Sequence, residues 1–452
     1  MKQGDNIGFF AGFRKLGRTF TLLWIGELAY GLGGILLQFA LGVWIFQTSG
    51  STSQFAYSFL SASVPMMLLA PIAATLADRM DRRWVVLGVD IFIACAAGLL
   101  GFLLITHRFT VPLLYIFNIV GACAAAIRAP AYQAAVSSVL PSDILTRAAG
   151  LMDLGGGVLG LVGPLLAGAL LARAGLVGVV ATQLAAVVGG TLSVLSGVIR
   201  VRMPKRPKSE ALGSLWRGLF SGLGPGLKFF SKQSEMLALA AYEVVHDGLL
   251  VLASAMLTPL ILSSHTVGTL SVISSCSAAG AIVGSLFVVV VNTNSNLMSK
   301  LVGFNVILSV CVLVAGVVTS PLAWGICAFL ALFASSAAGA CTLALWMGNT
   351  PKTIQGSIFA VVGVVHMLVS SFVMLIGGIV ADKVLEPALA PNGPWATTII
   401  GEWMGTGKGR GIGFLFFAAG GVCSVVSILA LVWPRLRQVG DPSSVSHDIV
   451  EI

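Results

Sequence analysis

The chain predicts an all-α integral membrane protein with twelve transmembrane helices in two six-helix halves. Three observations predict it. Of 452 residues, 57% are hydrophobic and only 10% charged, against roughly 25% charged in a soluble domain. Twelve predominantly apolar runs reach the length, about 20 residues, that crosses a hydrocarbon core about 30 Å thick. A polar stretch rich in Gly, Pro and basic residues then divides these runs six and six. The alternating ten-residue segments of a β-barrel are absent.

In chain order, residues 1–19 form a polar, basic N-terminal segment with no small-residue cleavage site, so the first helix serves as its own insertion signal. The first half, 20–199, holds spans near 20–46, 55–77, 85–106, 111–131, 150–172 and 177–199. Residues 200–233 form a linker. The second half, 234–434, holds spans near 236–262, 267–291, 301–319, 322–347, 357–381 and 411–433, with a long loop at 383–410. A tail, 435–452, follows.

Positive charge is retained on the cytoplasmic side. Placing both termini there leaves only Arg108, Arg173, Lys383, Lys408 and Arg410, of 26 Lys and Arg, on the other face. The expected location is therefore the cytoplasmic (inner) membrane, with the linker and tail cytoplasmic and the loop 383–410 external. The net charge of +9 then sits at an anionic lipid surface, and no basic patch interleaved with aromatics points to nucleic acid. The cysteines, Cys95, Cys123, Cys276, Cys311, Cys327, Cys341 and Cys423, all fall within spans without a CxxC pair. They read as small buried apolar residues, with no disulfide or metal framework.

A weak internal repeat supports duplicated halves. At an offset of 216, "GELAYGLGG" aligns with "YEVVHDGLL" and Glu27 falls on Glu243. At an offset of 210, "LPSDILTRAAGLMDLGGG" aligns with "TPKTIQGSIFAVVGVVHM", pairing Pro141 with Pro351 and Gly168 with Gly378. Duplicated halves place a small-molecule site at their interface near the midplane.

Charged groups inside a membrane helix cost about 2.5 to 3.5 kcal/mol on insertion scales and must face protein or water. Span seven nevertheless carries Glu243, His246 and Asp247 in "AYEVVHDGLL", at the i, i+3, i+4 spacing of one helical face. A proton-coupled carrier needs a group that gains a proton from one side and loses it to the other, and a carboxyl beside a histidine meets that need. Two alternatives stand beside this reading: a satisfied polar network that only holds helices together, or a span that begins near Gly248 and leaves the trio at the interface. Gln38 and His366 are further candidates for hydrogen bonds to a ligand. Asp90, Asp153 and Arg128 lie toward helix ends, as gating pairs or anchors. Trp24, Tyr30, Trp44, Tyr242 and Trp346 are candidates to stack on a bulky ligand.

The hairpin after span two, "AATLADRMDRRWVVLGVD", resembles the motif of the major facilitator superfamily that joins helices 2 and 3. Leu76, Asp78, Arg79, Arg82 and Arg83 match it, while Ala74 and Asp81 stand where glycine is common. The resemblance implies that Asp78, Arg79, Arg82 and Arg83 form a cytoplasmic gate that latches the halves. Span five, "GGGVLGLVGPLLAGALL", is similar to the Gly-Pro signature of drug and proton antiporters: Gly163, Pro164 and Gly168 match, and Ala167 replaces one glycine. Small residues there permit close helix approach and proline loosens one turn. The opening segment, the loop before span five and the late loop together resemble the macrolide-efflux and siderophore-exporter group.

The resemblance implies a major facilitator fold, alternating access, and export of a hydrophobic or amphipathic molecule against protons by a functional monomer. Import of a small nutrient, or a non-transporting receptor or assembly subunit, are the alternatives. No phosphate-binding loop of the Walker type, cofactor motif, metal cluster or catalytic dyad occurs, so no enzyme activity is expected.

Overall fold

The computed structural model describes residues 17–79, 81–140, 144–198, 224–291, 296–351 and 353–439. Among these the regular structure is entirely helical. The long helices are α1 (Gly17–Ser49), α2 (Thr52–Arg79), α3 (Arg82–Ile105), α4 (Val111–Val139), α5 (Leu145–Val198), α6 (Ser234–Leu262), α7 (Val267–Val290), α8 (Leu297–Val317), α9 (Pro321–Asn349), α10 (Gln355–Val380) and α11 (Arg410–Val432). Among the described residues ten helices are long and apolar enough to cross a membrane. The difference from twelve has two sources. Spans five and six run together in α5, separated only by Gly175, whose backbone (φ 62°, ψ −167°) leaves the helical region where a side chain would be strained. α2 is 28 residues long, but its side chains beyond residue 69 lie outside the described residues.

The sequence ends are close to those expected. α6 begins at Ser234, so the trio at 243–247 lies well inside a helix, which does not itself start near Gly248. The loop 383–410 is folded: a π-turn, Ala381–Leu385, continues α10, and a short helix, Ile399–Met404, precedes α11. Asp78, Arg79, Arg82 and Arg83 have side chains outside the described residues. Most of the linker, 199–223, and the tail beyond 439 also lie outside them. One expectation is corrected: Cys95 is exposed on its helix and not buried, because the outer surface of a membrane helix meets lipid, which is as apolar as a core.

The helices group into two compact units, one of residues 1–41 with 61–210 and one of 42–60 with 211–452. In the first unit α3 packs against α4 and α5, and in the second α9 packs against α7 and α8, α8 against α11, and α6 against α10 and α11. Residues 42–60, the end of α1 and the start of α2, fall in the second unit, which also holds Asp382. Its carboxylate accepts hydrogen bonds from Ser51 Oγ (2.5 Å), the Thr52 N–H (2.8 Å), the Thr52 hydroxyl and the Ser53 N–H (2.8 Å). An acid there satisfies donors that the first turn of α2 leaves open and matches the positive end of its dipole. Gly378, one turn earlier, lets Ala56 and the Thr52 carbonyl come into contact range, and Ser53 Oγ donates to the Gly378 carbonyl at 3.1 Å.

The second unit is held by glycine contacts. A Cβ at Gly280 of α7 would strike the backbone of Phe329 in α9, and one at Gly284, a turn later, would strike that of Phe333. Membrane helices have no hydrophobic drive toward each other, so such close backbone approach supplies the packing. Gly280→Val is expected to lower the thermal stability of purified protein by at least the roughly 1–3 kcal/mol of an overpacked site. Gly303→Ala, where a Cβ meets nothing within 4 Å, is expected to be silent. Equal melting temperatures would show that α7 and α9 are not tightly seated.

Candidate functional site

Each unit buries its own acid. In the first, Arg128 of α4 is 2% exposed and makes two ion pairs: Nη1 to Glu27 Oε2 of α1 and Nε to Asp90 Oδ1 of α3, both at 2.6 Å. The Tyr30 ring lies over the guanidinium, 3.6 Å from its carbon, and Tyr132 anchors the arrangement by donating to the Leu23 carbonyl at 3.0 Å. One cation thus answers two carboxylates, and Arg128 Nη2 is left buried without a hydrogen-bond partner. Glu27 is one-third exposed, and Asp90 is 2% exposed.

In the second unit Glu243 is 8% exposed. Trp346 of α9 donates its Nε1–H to Glu243 Oε2 at 2.8 Å, and Oε1 is buried, with the Thr342 side chain beside the carboxyl. Its charge is answered by a neutral donor where Glu27 has a guanidinium. Glu243 lines a cavity of about 610 Å³ together with Asp247, Asn305, Thr342 and His366. The remainder of the wall is mostly aliphatic and aromatic, including Leu257, Val312, Trp324 and Phe416. That volume lies within the roughly 300–1,000 Å³ typical of small-molecule pockets.

The other expected residues divide. Asp247 lines the cavity with its side chain 51% exposed, and His366 lines it with Nε2 buried and unpartnered. His246 does not reach it. It is fully buried behind the wall, where Nε2 pairs with Ser309 Oγ (3.2 Å), Nδ1 with Asp247 Oδ1 (3.1 Å), and Tyr242 stacks on its ring at 5.6 Å. Asn305 donates to the Tyr242 hydroxyl at 2.8 Å, which also pairs with Ser427 at 3.2 Å. The residues at i, i+3 and i+4 therefore share a broad helix face but split between a cavity and a packed network. Gln38 is exposed on α1 and lines neither described cavity. Tyr30, Tyr242 and Trp346, expected as stacking surfaces, instead serve Arg128, His246 and Glu243.

The sequence offers Arg128 and Asp90 as either a gating pair or helix-end anchors; they are paired with each other and, with Glu27, form the charged centre of the first unit. The available signal was the lone arginine in "AAAIRAPAYQ", an apolar run in which an unpaired cation is untenable. Its partners sit 101 and 38 residues away, beyond any local pattern. Gly163 is buried as expected for the span-five signature, and a Cβ there would come within 2.5 Å of Ile35. Pro164 and Gly168 are buried beside it.

Long apolar helices, buried charges within them and a ligand-sized cavity are the parts of a membrane transporter. The chain belongs to the transmembrane secretion effector family, whose model matches residues 7–390. It is 23% identical over 270 residues to macrolide efflux protein A of Streptococcus pyogenes, a match covering 59% of this chain and 65% of that protein. The same identity is found with its counterpart from a serotype M6 strain. The chain thus spans 65% of the length of the curated relatives it matches. Among solved structures it is similar in fold to a POT family transporter (TM-score 0.68, 12% identity, 94% of this chain and 99% of that one). It is also similar to a bacterial homologue of the iron transporter ferroportin (TM-score 0.64, 16% identity, 91% and 98%).

Removing one member of a buried ion pair costs about 3–5 kcal/mol, because the partner is left uncompensated. Arg128→Met is therefore expected to abolish recovery of folded protein, and adding Glu27→Gln and Asp90→Asn to restore it. Size-exclusion profiles of the single and triple variants check this. A well-folded Arg128→Met alone would show that the two acids do not need the guanidinium.

Proposed function

We propose that this transporter exports a hydrophobic or amphipathic small molecule, macrolide- or siderophore-like, across the cytoplasmic membrane in exchange for protons. The observation that carries the reading is Glu243: a carboxyl on a cavity wall, held by neutral donors and, among the described residues, in no ion pair. Such a group accepts a proton, or a substrate cation, without first breaking an ion pair. Glu27, its counterpart in the repeat, is held by Arg128 and acts as a fixed charge that keeps the first unit assembled. The relative named a macrolide efflux protein and the Gly-Pro signature of span five support the outward direction.

In the proposed cycle the halves give alternating access to a site near the midplane, with both termini in the cytoplasm and a monomer sufficient. Protonation of Glu243 from outside releases substrate, and loss of that proton to the cytoplasm restores the binding state. His246 positions Asp247 through the 3.1 Å contact, and Asp247 is the second candidate for the proton. The hairpin with Asp78, Arg79, Arg82 and Arg83 serves as the cytoplasmic gate.

Glu243→Gln keeps shape and hydrogen-bonding capacity but cannot cycle a proton. In proteoliposomes with an imposed pH gradient it is expected to lose uphill efflux and retain exchange of substrate down its own gradient. The same assay on Asp247→Asn and Glu27→Gln separates the candidates. Efflux that still follows the pH gradient in Glu243→Gln removes it from the coupling role.

A further inference from the structure

Asp382 lies in the π-turn that continues α10 and Glu386 follows it, and each acid serves the start of a different helix. Glu386 accepts from the Gly409 N–H at 3.2 Å and the Ile412 N–H at 3.3 Å, partners 23 and 26 residues away in the same loop. A Cβ at Gly411 would strike the Glu386 backbone, so this cap is built into a close-packed turn. Asp382 instead reaches the start of α2, 329 to 331 residues away. α1 and α2 both pass from one unit to the other: residues 42–60 belong to the second and the remainder of each helix to the first. Asp382 therefore grips the stretch of these helices that the second unit contains.

That grip is polar, and small residues surround it: Ala56 meets Gly378, and Ser53 Oγ donates to the Gly378 carbonyl at 3.1 Å. Residues 42–60 contain no lysine, arginine or histidine, so the attraction comes from hydroxyls, backbone N–H groups and the positive end of α2. The start of α2 is also equipped to stand without Asp382. Ser51 Oγ accepts from the Gln54 N–H at 3.2 Å, and Ser49 Oγ from the Ser51 N–H at 3.2 Å. Ser51 and Gln54 have the Ser-x-x-Gln spacing of a capping box, which keeps the first turn of α2 helical when the carboxylate is gone. Thr52, 1% exposed, and Ser53, 8% exposed, then exchange Asp382 for water. A contact that breaks without unfolding either partner has two states.

We infer that Asp382 is a detachable latch: it holds the start of α2 to the end of α10 while the external side is shut, and the two part when that side opens. The assignment goes beyond the exporter reading and takes from it only the orientation that puts the end of α10 outside. Asp382 is here a positioning residue, which sets the balance between two states without touching substrate.

Cys327 of α9 reports that balance, because its thiol is buried on the cavity wall one turn from Trp324. The full chain in membrane vesicles of each orientation is treated with a charged, membrane-impermeant thiol reagent, and modification of Cys327 is followed by peptide mass spectrometry. Asp382→Asn is expected to raise the rate from outside at least about tenfold, the worth of a hydrogen bond to a charged group, and to lower the rate from inside. Thr52→Val removes one donor, keeps the acid, and is expected to raise the outside rate about threefold; it decides the matter if Asp382→Asn is not recovered folded. Unchanged rates overturn the latch. Rates that rise from both sides reveal a loosened fold and overturn it equally. The mirror response, faster from inside and slower from outside, keeps the latch and removes the orientation. The expected labelling without proton-driven flux removes the exporter reading and leaves the latch standing.

Discussion

A charge placed in hydrocarbon must be answered by protein, and this one requirement organises both units. Arg128 can exist in α4 only because Glu27 and Asp90 converge on it from α1 and α3. That convergence fixes how three helices of the first unit face one another, and Tyr30 and Tyr132 are recruited to the same centre. In the second unit, among the described residues, no cation plays that part for Glu243. The indole of Trp346 and the network of Tyr242, His246, Asn305 and Ser309 carry the polar groups of α6 instead.

The contrast gives the internal repeat a physical content that identity alone does not. Glu27 and Glu243 align at an offset of 216, and their partners, Arg128 and Trp346, stand 218 apart on α4 and α9, the fourth span of each half. The duplicated architecture retains an acid on the first helix and a donor on the fourth. What differs between copies is the charge of the donor. One acid is thereby held in an ion pair while the other is held by neutral donors.

The spans were legible because hydropathy is a local property: a bilayer imposes a length that any window can read. The trio in "AYEVVHDGLL" was legible for the same reason, as charge where lipid forbids it. What lay beyond the sequence was which way each side chain turns. His246 and Asp247 are neighbours, yet one is fully buried and the other half exposed, since adjacent residues point about 100° apart around a helix. Arg128 was visible as an anomaly but its partners were not, because the contacts come from two other helices. The boundary of α5 shows the opposite case, where a single residue, Gly175, separates two spans that hydropathy had already divided.

Asp382 adds a consequence in time. Its acceptors hold the Ser51–Ser53 turn, yet it follows Thr52 by 330 residues. At roughly 5–20 residues per second of synthesis, the first two helices wait about 15 to 65 s before their partner exists. Until then the backbone donors at the start of α2 have only water or lipid headgroups to bind. The nascent hairpin must keep that polar turn out of the bilayer interior throughout the wait, and its run of Ser51, Thr52, Ser53 and Gln54 is suited to remaining hydrated until the eleventh span arrives.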